Sequence, residues 1–299
     1  MISADRLNLL ADALSRHLGR TFDALELTSR APTVRSATFL RAVDGWIVAN
    51  LARPGDIDSI PAWVGDTDDL AETVSTLLRD DVVEQGRLLG LAVASLGEAP
   101  YVPPPVRMTR RSGQYQPGRE RGLVIDLSAM WAGPLCGKLL ADGGWDVVKV
   151  ETPDRPDGMR LGDPDLFQYL NRGKRSVTMA LDDPELGRLV DSADVVIEGS
   201  RPRALAHVGL GPERCAAGIW LSVTAYGRDH PERIGFGDDA AAAAGLVEWV
   251  DGEPSFVGDA IADPTTGMLA ALAVVSAHRC GGAWLLDAAL ARSAGWLMC

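Results

Sequence analysis

From residue 122 onward the chain alternates short, continuous apolar runs with helical patterns. This rhythm narrows the available folds more than any other feature. GLVIDLS (122–128), WDVVKVE (145–151), SVTMAL (176–181), DVVIEG (194–199), IWLSVTAYG (219–227) and AWLLDAAL (283–290) each read as a strand without polar alternation. A strand that is apolar on both sides of its pleat has to be covered on both faces, as in a parallel sheet flanked by helices. Helical patterns over 135–142 and in DPELGRLVDSA (183–193) lie between these strands. Such sheets place ligands at the carboxyl ends of their strands, so the charged and glycine residues that follow each run are where chemistry is expected.

The first 98 residues have a different character and read as a small α+β unit. Leu7, Leu10, Ala11, Leu14 and Leu18 recur at helical spacing, and Gly19 stops the pattern. WIVANL (46–51) follows the turn signal Asp44-Gly45 and reads as a strand. Helices are expected over 70–78, behind the potential caps Asp66, Thr67 and Asp68, and over 81–89. Between the two units lies APYVPPPVRMTRRSGQYQPGRERG (99–122), whose three consecutive prolines favour extended backbone. Its cations Arg107, Arg110, Arg111, Arg119 and Arg121 are either solvated linker charges or phosphate contacts. The organisation read from this is a small α+β domain at 1–105, a linker at 106–121 and a ligand-binding domain at 122–299.

The chain carries 29 Lys+Arg against 41 Asp+Glu, a formal charge of −12, which argues against a general nucleic-acid or anionic-membrane binder. With 46% hydrophobic and 23% charged residues it has the balance of a globular protein. The opening MISADRLNLLADALSRH lacks a basic start and an apolar signal core, and no apolar run reaches the ~18 residues of a membrane span. Cys136, Cys215, Cys280 and Cys299 lie far apart without a CxxC pair. No metal site, no cofactor and a reduced cytoplasmic setting are therefore expected.

On so acidic a chain, basic residues beside strand ends stand out. Arg155 and Arg160 follow the second strand, Asn171, Lys174 and Arg175 precede the third, and Glu198 and Arg201 end the fourth. Guanidinium forks and a Lys point charge in these places suit a polyphosphate or nucleotide-like anion; the plain alternative is solvated loops. After the first strand, Trp131-Ala132-Gly133-Pro134 offers a helix start with close backbone approach. Neither GxGxxG nor GxxxxGK[ST] occurs.

Seven ordered stretches carry a family resemblance: VIDLSAMWAGPLCGKLLADGGWDVVKVE, NRGKRSVTMAL, ADVVIEGSRPRALAHVGLG, WLSVTAYGRDHPER, GFGDDAAAAAGLV, GDAIADPTTGMLAALAV and LLDAAL. Together they resemble the family III CoA-transferases, the group of formyl-CoA transferase, carnitine CoA-transferase and α-methylacyl-CoA racemase, over residues 122–292. VDGWIVANLARPGDIDSIPAWVG and GLAVASLGEAP resemble that family's smaller domain. In the family this domain normally follows the LLDAAL segment, so a permuted order with the small domain first is expected. The resemblance implies an α/β fold: a Rossmann-like, mostly parallel sheet covered by helices, plus the smaller α+β domain. It further implies a CoA thioester as substrate, held by Trp131, Ala132, Gly133, Arg155, Arg160, Asn171, Lys174, Arg175, Glu198 and Arg201. A carboxylic acid as acceptor and a homodimer are implied as well.

Family members use a carboxylate to attack the acyl-CoA, forming a mixed anhydride. An anhydride retains the acyl-transfer potential of a thioester, which a serine ester would not, so exchange runs in both directions provided water is excluded. The resemblance places this nucleophile after the Gly-Phe signature, here Gly235-Phe236-Gly237-Asp238-Asp239, with an extra glycine and a second acid. Asp238 is the expected nucleophile and Asp239 the alternative; an Asp helix cap before the alanine run is the competing reading. Racemase members place a His before that Asp and pair it with a second Asp, which corresponds to Asp263 in ADPTTG. Here no His occupies that place. A racemase or isomerase on the same fold, and a non-catalytic acyl-CoA-binding homologue, are the alternatives to CoA transfer.

Overall fold

The computed structural model describes residues 3–298 apart from 31–34, 113, 114, 116, 119 and 201. The chain opens with helix α1 (Ala4–Leu18), ended by Gly19 at φ 70°, and a short α2 (Ala24–Thr28). Strands β1 (Ala37–Ala42) and β2 (Gly45–Asn50) form a hairpin. Helices α3 (Pro54–Asp58), α4 (Ile60–Val64), α5 (Leu70–Ser75) and α6 (Arg79–Leu88) follow, and β3 (Ala92–Ser95) closes a three-stranded antiparallel sheet, β1-β2-β3. One face of this sheet carries Leu40, Ile47, Ala49 and Val93 against Trp63, Val74, Val82 and Val83 from the helices. Val48 and Ala94 point the other way, into the main core.

The large sheet begins with β4 (Val106–Arg110), then β5 (Leu123–Asp126), α7 (Ala132–Asp142), β6 (Asp146–Glu151), α8 (Met159–Gly162), α9 (Pro164–Asn171) and β7 (Arg175–Thr178). It continues through α10 (Pro184–Asp191), β8 (Val195–Glu198), α11 (Pro202–His207), β9 (Ile219–Thr224) and α12 (Gly237–Ala243). A two-stranded hairpin of β10 (Val247–Val250) and β11 (Glu253–Phe256) precedes α13 (Ala262–Cys280), β12 (Trp284–Ala289) and α14 (Leu290–Met298). The sheet order is β4-β12-β9-β8-β5-β6-β7, parallel except for the antiparallel edge strand β4. Numbered along the chain, the six parallel strands lie 3-2-1-4-5-6. That is the doubly wound order, and its direction reverses between β5 and β8, where a crevice opens at the carboxyl edge. Val124, Val148, Val196, Ile197 and Trp220 are fully buried, as strands covered on both faces require.

Two expectations about organisation need correction. The segment expected to be a linker (106–121) contains β4, which pairs with β12 over Val106–Arg110 and Ala288–Trp284. Three of its cations are engaged. Arg111 donates to the carbonyl oxygens of Ala217 and Cys215 at 2.7 Å each, Arg110 lies 4.5 Å over Trp284, and Arg107 pairs with Asp229. Arg119 lies outside the described residues. The first helix, α1, packs its Leu7, Leu10, Leu14 and Leu18 stripe against α13 in the main core instead of against the small sheet. Among the described residues no helix is long and apolar enough to cross a membrane.

Candidate active site

Three carboxylates that the sequence spreads over 26 positions meet beside the crevice. Asp238 and Asp239 lie in the first turn of α12, and Asp263 is the second residue of α13. The inner face of the small sheet packs on α12, through β2 and β3, and so closes the site from that side.

Asp239 is fully buried. Its Oδ1 accepts the Phe236 N–H at 2.8 Å, which caps α12, and the Asn50 side-chain amide at 3.1 Å from β2. Its Oδ2 has no hydrogen-bond partner, and neither has the nearby buried Tyr226 hydroxyl. Burial pushes the Asp239 carboxyl up to about 8. Asp239 therefore fills the cap role and ties the small domain to α12; it has no route to a ligand.

Asp238 is 8% exposed. Its Oδ1 accepts the Ala260 N–H at 2.8 Å, and its Oδ2 lies 3.2 Å from Arg35 Nε. Burial raises its pKa. Arg35 also binds the Gly258 carbonyl oxygen at 2.7 Å and the Asp259 carboxylate, and lies 4.6 Å over the Phe256 ring. Nothing periodic in the polar run before β1 marks Arg35 in advance.

Asp263 alone among the three acids is partly exposed. Its carboxylate faces the N–H groups of Ala132 and Gly237, the opening residues of α7 and α12, which lack helical partners of their own. Burial, and then the charge of Asp238, push its pKa up to about 7 despite the two N–H groups. The glycine that interrupts the Gly-Phe-acid signature has its reason here: a Cβ on Gly237 would overlap Asp263 Oδ2 and stand 2.6 Å from the Ala260 carbonyl oxygen.

The residues expected to hold a nucleotide behave less uniformly. Ala132 and Gly133 open α7 at the crevice, and a Cβ on Gly133 would overlap Ser128. The Trp131 side chain is buried in the core instead of lining the crevice. Lys174 lines the cleft beside α9 and β7, as Asn171 and Arg175 do, but its ammonium is engaged internally. Its side chain is 1% exposed, and its Nζ is committed to Asp126 Oδ2 at 2.8 Å, the Pro134 carbonyl oxygen at 2.8 Å and Asn171 Oδ1 at 3.0 Å. Asn171 is thereby part of the same internal network. Glu198 is buried, where desolvation raises its pKa, and it accepts from Ser222 and Arg228. Arg160 makes a two-pronged pair with Glu151 at 2.9 and 2.6 Å, and Arg175 does the same with Asp146 at 3.0 and 2.8 Å. The exposed Arg155 guanidinium has no partner among the described residues; Arg201 lies outside them.

A cleft of about 530 Å³ opens beside α9 and β7, lined by Arg30, Arg160, Phe167, Tyr169, Arg172 and Ser176 among others. Arg30 arrives from beyond α2 and stacks 3.9 Å over the Tyr169 ring, and Arg160 stacks 4.2 Å over Phe167. Arg30 has no signal in the sequence, because the strand ends that drew attention are 101 or more positions away.

A doubly wound sheet, a carboxylate set between two helix starts and a basic cleft alongside are matched by a family profile. CoA-transferase family III covers residues 122–298. The chain belongs to CoA-transferase family III. Within it, the chain is 36% identical over 177 residues to a succinyl-CoA–D-citramalate CoA-transferase of Chloroflexus aurantiacus, covering 52% of this chain and 44% of that protein. It is 34% identical over 197 residues to a succinate–glutarate CoA-transferase of Agrobacterium fabrum, covering 56% and 49%. Among solved structures, a CAIB/BAIF family protein from Brucella suis superimposes with a TM-score of 0.55 at 32% identity, over 62% of this chain and 56% of that one. The chain thus spans about half the length of the curated family III relatives it matches.

Proposed function

We propose that the protein transfers CoA from an acyl-CoA to a free carboxylic acid, with Asp263 as the carboxylate that becomes acylated. The observation that carries this reading is the position of Asp263. It is the partly exposed acid of the three, at the carboxyl edge of a family III sheet, with the Ala132 and Gly237 N–H groups on its carboxylate. This departs from the expected nucleophile, Asp238, whose two oxygens are occupied by Ala260 and Arg35, and from Asp239, which is sealed from ligand.

In the first step an Asp263 oxygen attacks the thioester carbon, the C–S bond breaks, and CoA leaves as a thiolate. The anhydride that remains has two carbonyl carbons. Thiolate attack on the aspartyl carbon releases the donor acid as a carboxylate and leaves CoA on Asp263. The acceptor carboxylate then displaces that CoA, and the thiolate takes the acceptor's acyl carbon, restoring the Asp263 carboxylate. No proton needs to be stored in the cycle, so a histidine is not required. The small sheet packed over α12 keeps water from the anhydride. The basic cleft beside α9, together with Arg155, receives the phosphates.

The names of the relatives recommend succinyl-CoA as donor and a small dicarboxylic acid such as glutarate as acceptor. We place this chemistry in the cytoplasm, in keeping with three free thiols at Cys136, Cys215 and Cys280, and in a homodimer, the commonest closed assembly. Incubation with succinyl-CoA and glutarate should yield glutaryl-CoA by mass. Hydroxylamine added during turnover should leave a hydroxamate on the peptide that contains Asp263. A label on Asp238 instead would return the assignment to the signature motif, and absence of exchange with any acid of a dicarboxylate panel would reject the function.

A further inference from the structure

The loop between β5 and α7 is gripped by a buried ion pair that the exchange chemistry does not use. The side chains of Lys149, in β6, and Asp157 are each 1% exposed, with Nζ 3.0 Å from Asp157 Oδ2. Lys149 Nζ also donates to the Ser128 carbonyl oxygen. Asp157 Oδ1 accepts the Met130 N–H at 3.0 Å and the Met159 N–H at 3.1 Å, and the Asp157 N–H goes to Glu151 Oε1 at 2.9 Å. The pair therefore holds the loop on both sides of Ala129 and pins it to the segment after β6.

The gripped backbone is one that does not hold itself. Met130 sits at φ 72°, a left-handed conformation that a side chain with a Cβ disfavours. Two residues later the Ala132 N–H meets Asp263. A buried ion pair gives a fold little that packed apolar side chains would not give, so its value has to be sought in the geometry it enforces.

We infer that Lys149 and Asp157 are positioning residues: together they hold the 128–131 loop in its left-handed turn and so fix the Ala132 N–H against Asp263. The inference rests on the proposed role of Asp263. Lys149 borders the basic cleft beside α9, but its Nζ is committed to Asp157 and the Ser128 carbonyl oxygen, so the pair acts through Ser128, Met130 and Ala132. The Asp126 carboxylate supports the same loop from the other side by accepting the Ser128 N–H at 3.1 Å and the Ser128 hydroxyl.

The test separates geometry from stability. Lys149→Met or Asp157→Asn alone leaves the remaining partner without its counterpart, so both lower the melting temperature. Lys149→Met with Asp157→Leu removes both charges at once and regains most of that loss. In this double variant the Met130 amide, followed by hydrogen exchange, should exchange about ten-fold faster or more, since its acceptor is gone. Its kcat for succinyl-CoA and glutarate should fall by about ten-fold or more despite the recovered melting temperature. Adding Met130→Gly to Asp157→Asn should restore part of kcat, because glycine takes a positive φ without a clamp; this arm also serves if the double variant does not fold. Parental Met130 protection or parental kcat in the folded double variant overturns the inference, as does absence of rescue by glycine. A parent protein inactive with succinyl-CoA and glutarate overturns the functional reading alone, and the Met130 amide then still decides whether the pair holds the loop.

Discussion

Gly237 and Asp263 meet so closely that no side chain fits between them. The Gly237 N–H faces the Asp263 carboxylate, and a Cβ at 237 would overlap Asp263 Oδ2. The insertion in the Gly-Phe signature is thus the surface on which a carboxylate from a different helix rests.

Gly237→Ala should accordingly displace Asp263, or the turn at Ala260, and lower kcat by about a hundred-fold, the usual effect of a misplacement near 1 Å. Overpacking should also cost about 1–3 kcal/mol of stability. Steady-state kinetics with a thermal melt on the same sample would show both. An alanine variant with parental kcat would mean that the Asp263 carboxylate is not held at its working position by this contact.

The pH dependence of exchange should report Asp263. Its pKa is pushed up to about 7 by burial and by the charge of Asp238, and only the ionised carboxylate attacks a thioester. The rate should therefore rise with pH and level off above about 7. Asp238→Asn removes the neighbouring negative charge and should move that midpoint to lower pH. A midpoint that stays in place or moves upward in Asp238→Asn would contradict the electrostatic contact between the two acids.

Asp239 should matter to stability more than to chemistry. Its pKa is about 8 in the fold and about 3.9 when unfolded. Between these values the native state holds more protons than the unfolded one, so this group makes stability fall as pH rises. Asp239→Asn keeps the acceptor for Phe236 and Asn50 without the buried charge. Its melting temperature relative to the parent should rise between pH 5 and about 8 and then change less. Melts across that range showing a constant difference would falsify the buried, protonated state of Asp239.

The cations should divide by whether a carboxylate has already claimed them. Lys174→Met leaves Asp126 buried without its cation and should cost about 3–5 kcal/mol of stability. Arg172→Ala and Arg155→Ala should leave the melt unchanged and weaken CoA binding by about ten-fold each, the scale of one charge-assisted contact. Calorimetry with CoA settles the division; equal affinity in parent, Arg155→Ala and Arg172→Ala would place the phosphates elsewhere.

The sequence by itself determined the inner parallel strands, because burial on both faces leaves a local mark: Val195, Val196 and Ile197 are apolar without interruption, and Val147, Val148 and Val150 are broken only by the buried Lys149; the edge strand β7 is largely exposed. It also determined the set of acids, since Asp238, Asp239 and Asp263 are chemical facts at fixed positions. Strands that are only partly covered left no such mark. β1 mixes the exposed Thr38 and Arg41 among apolar residues on both of its faces, and β4 reads Val-Arg-Met-Thr-Arg, so each was legible only once β2 or β12 lay beside it. The tertiary structure alone decided which charges remain available. Lys174 is neutralised by Asp126 from 48 positions away and Arg175 by Asp146 from 29, while Arg30 reaches the basic cleft from outside the strand region altogether. It also decided which of the three acids is sealed and which is partly exposed. Local sequence sets the conformation of a few residues at a time, but access to a ligand depends on which surfaces meet, and that is fixed by pairing across the whole chain.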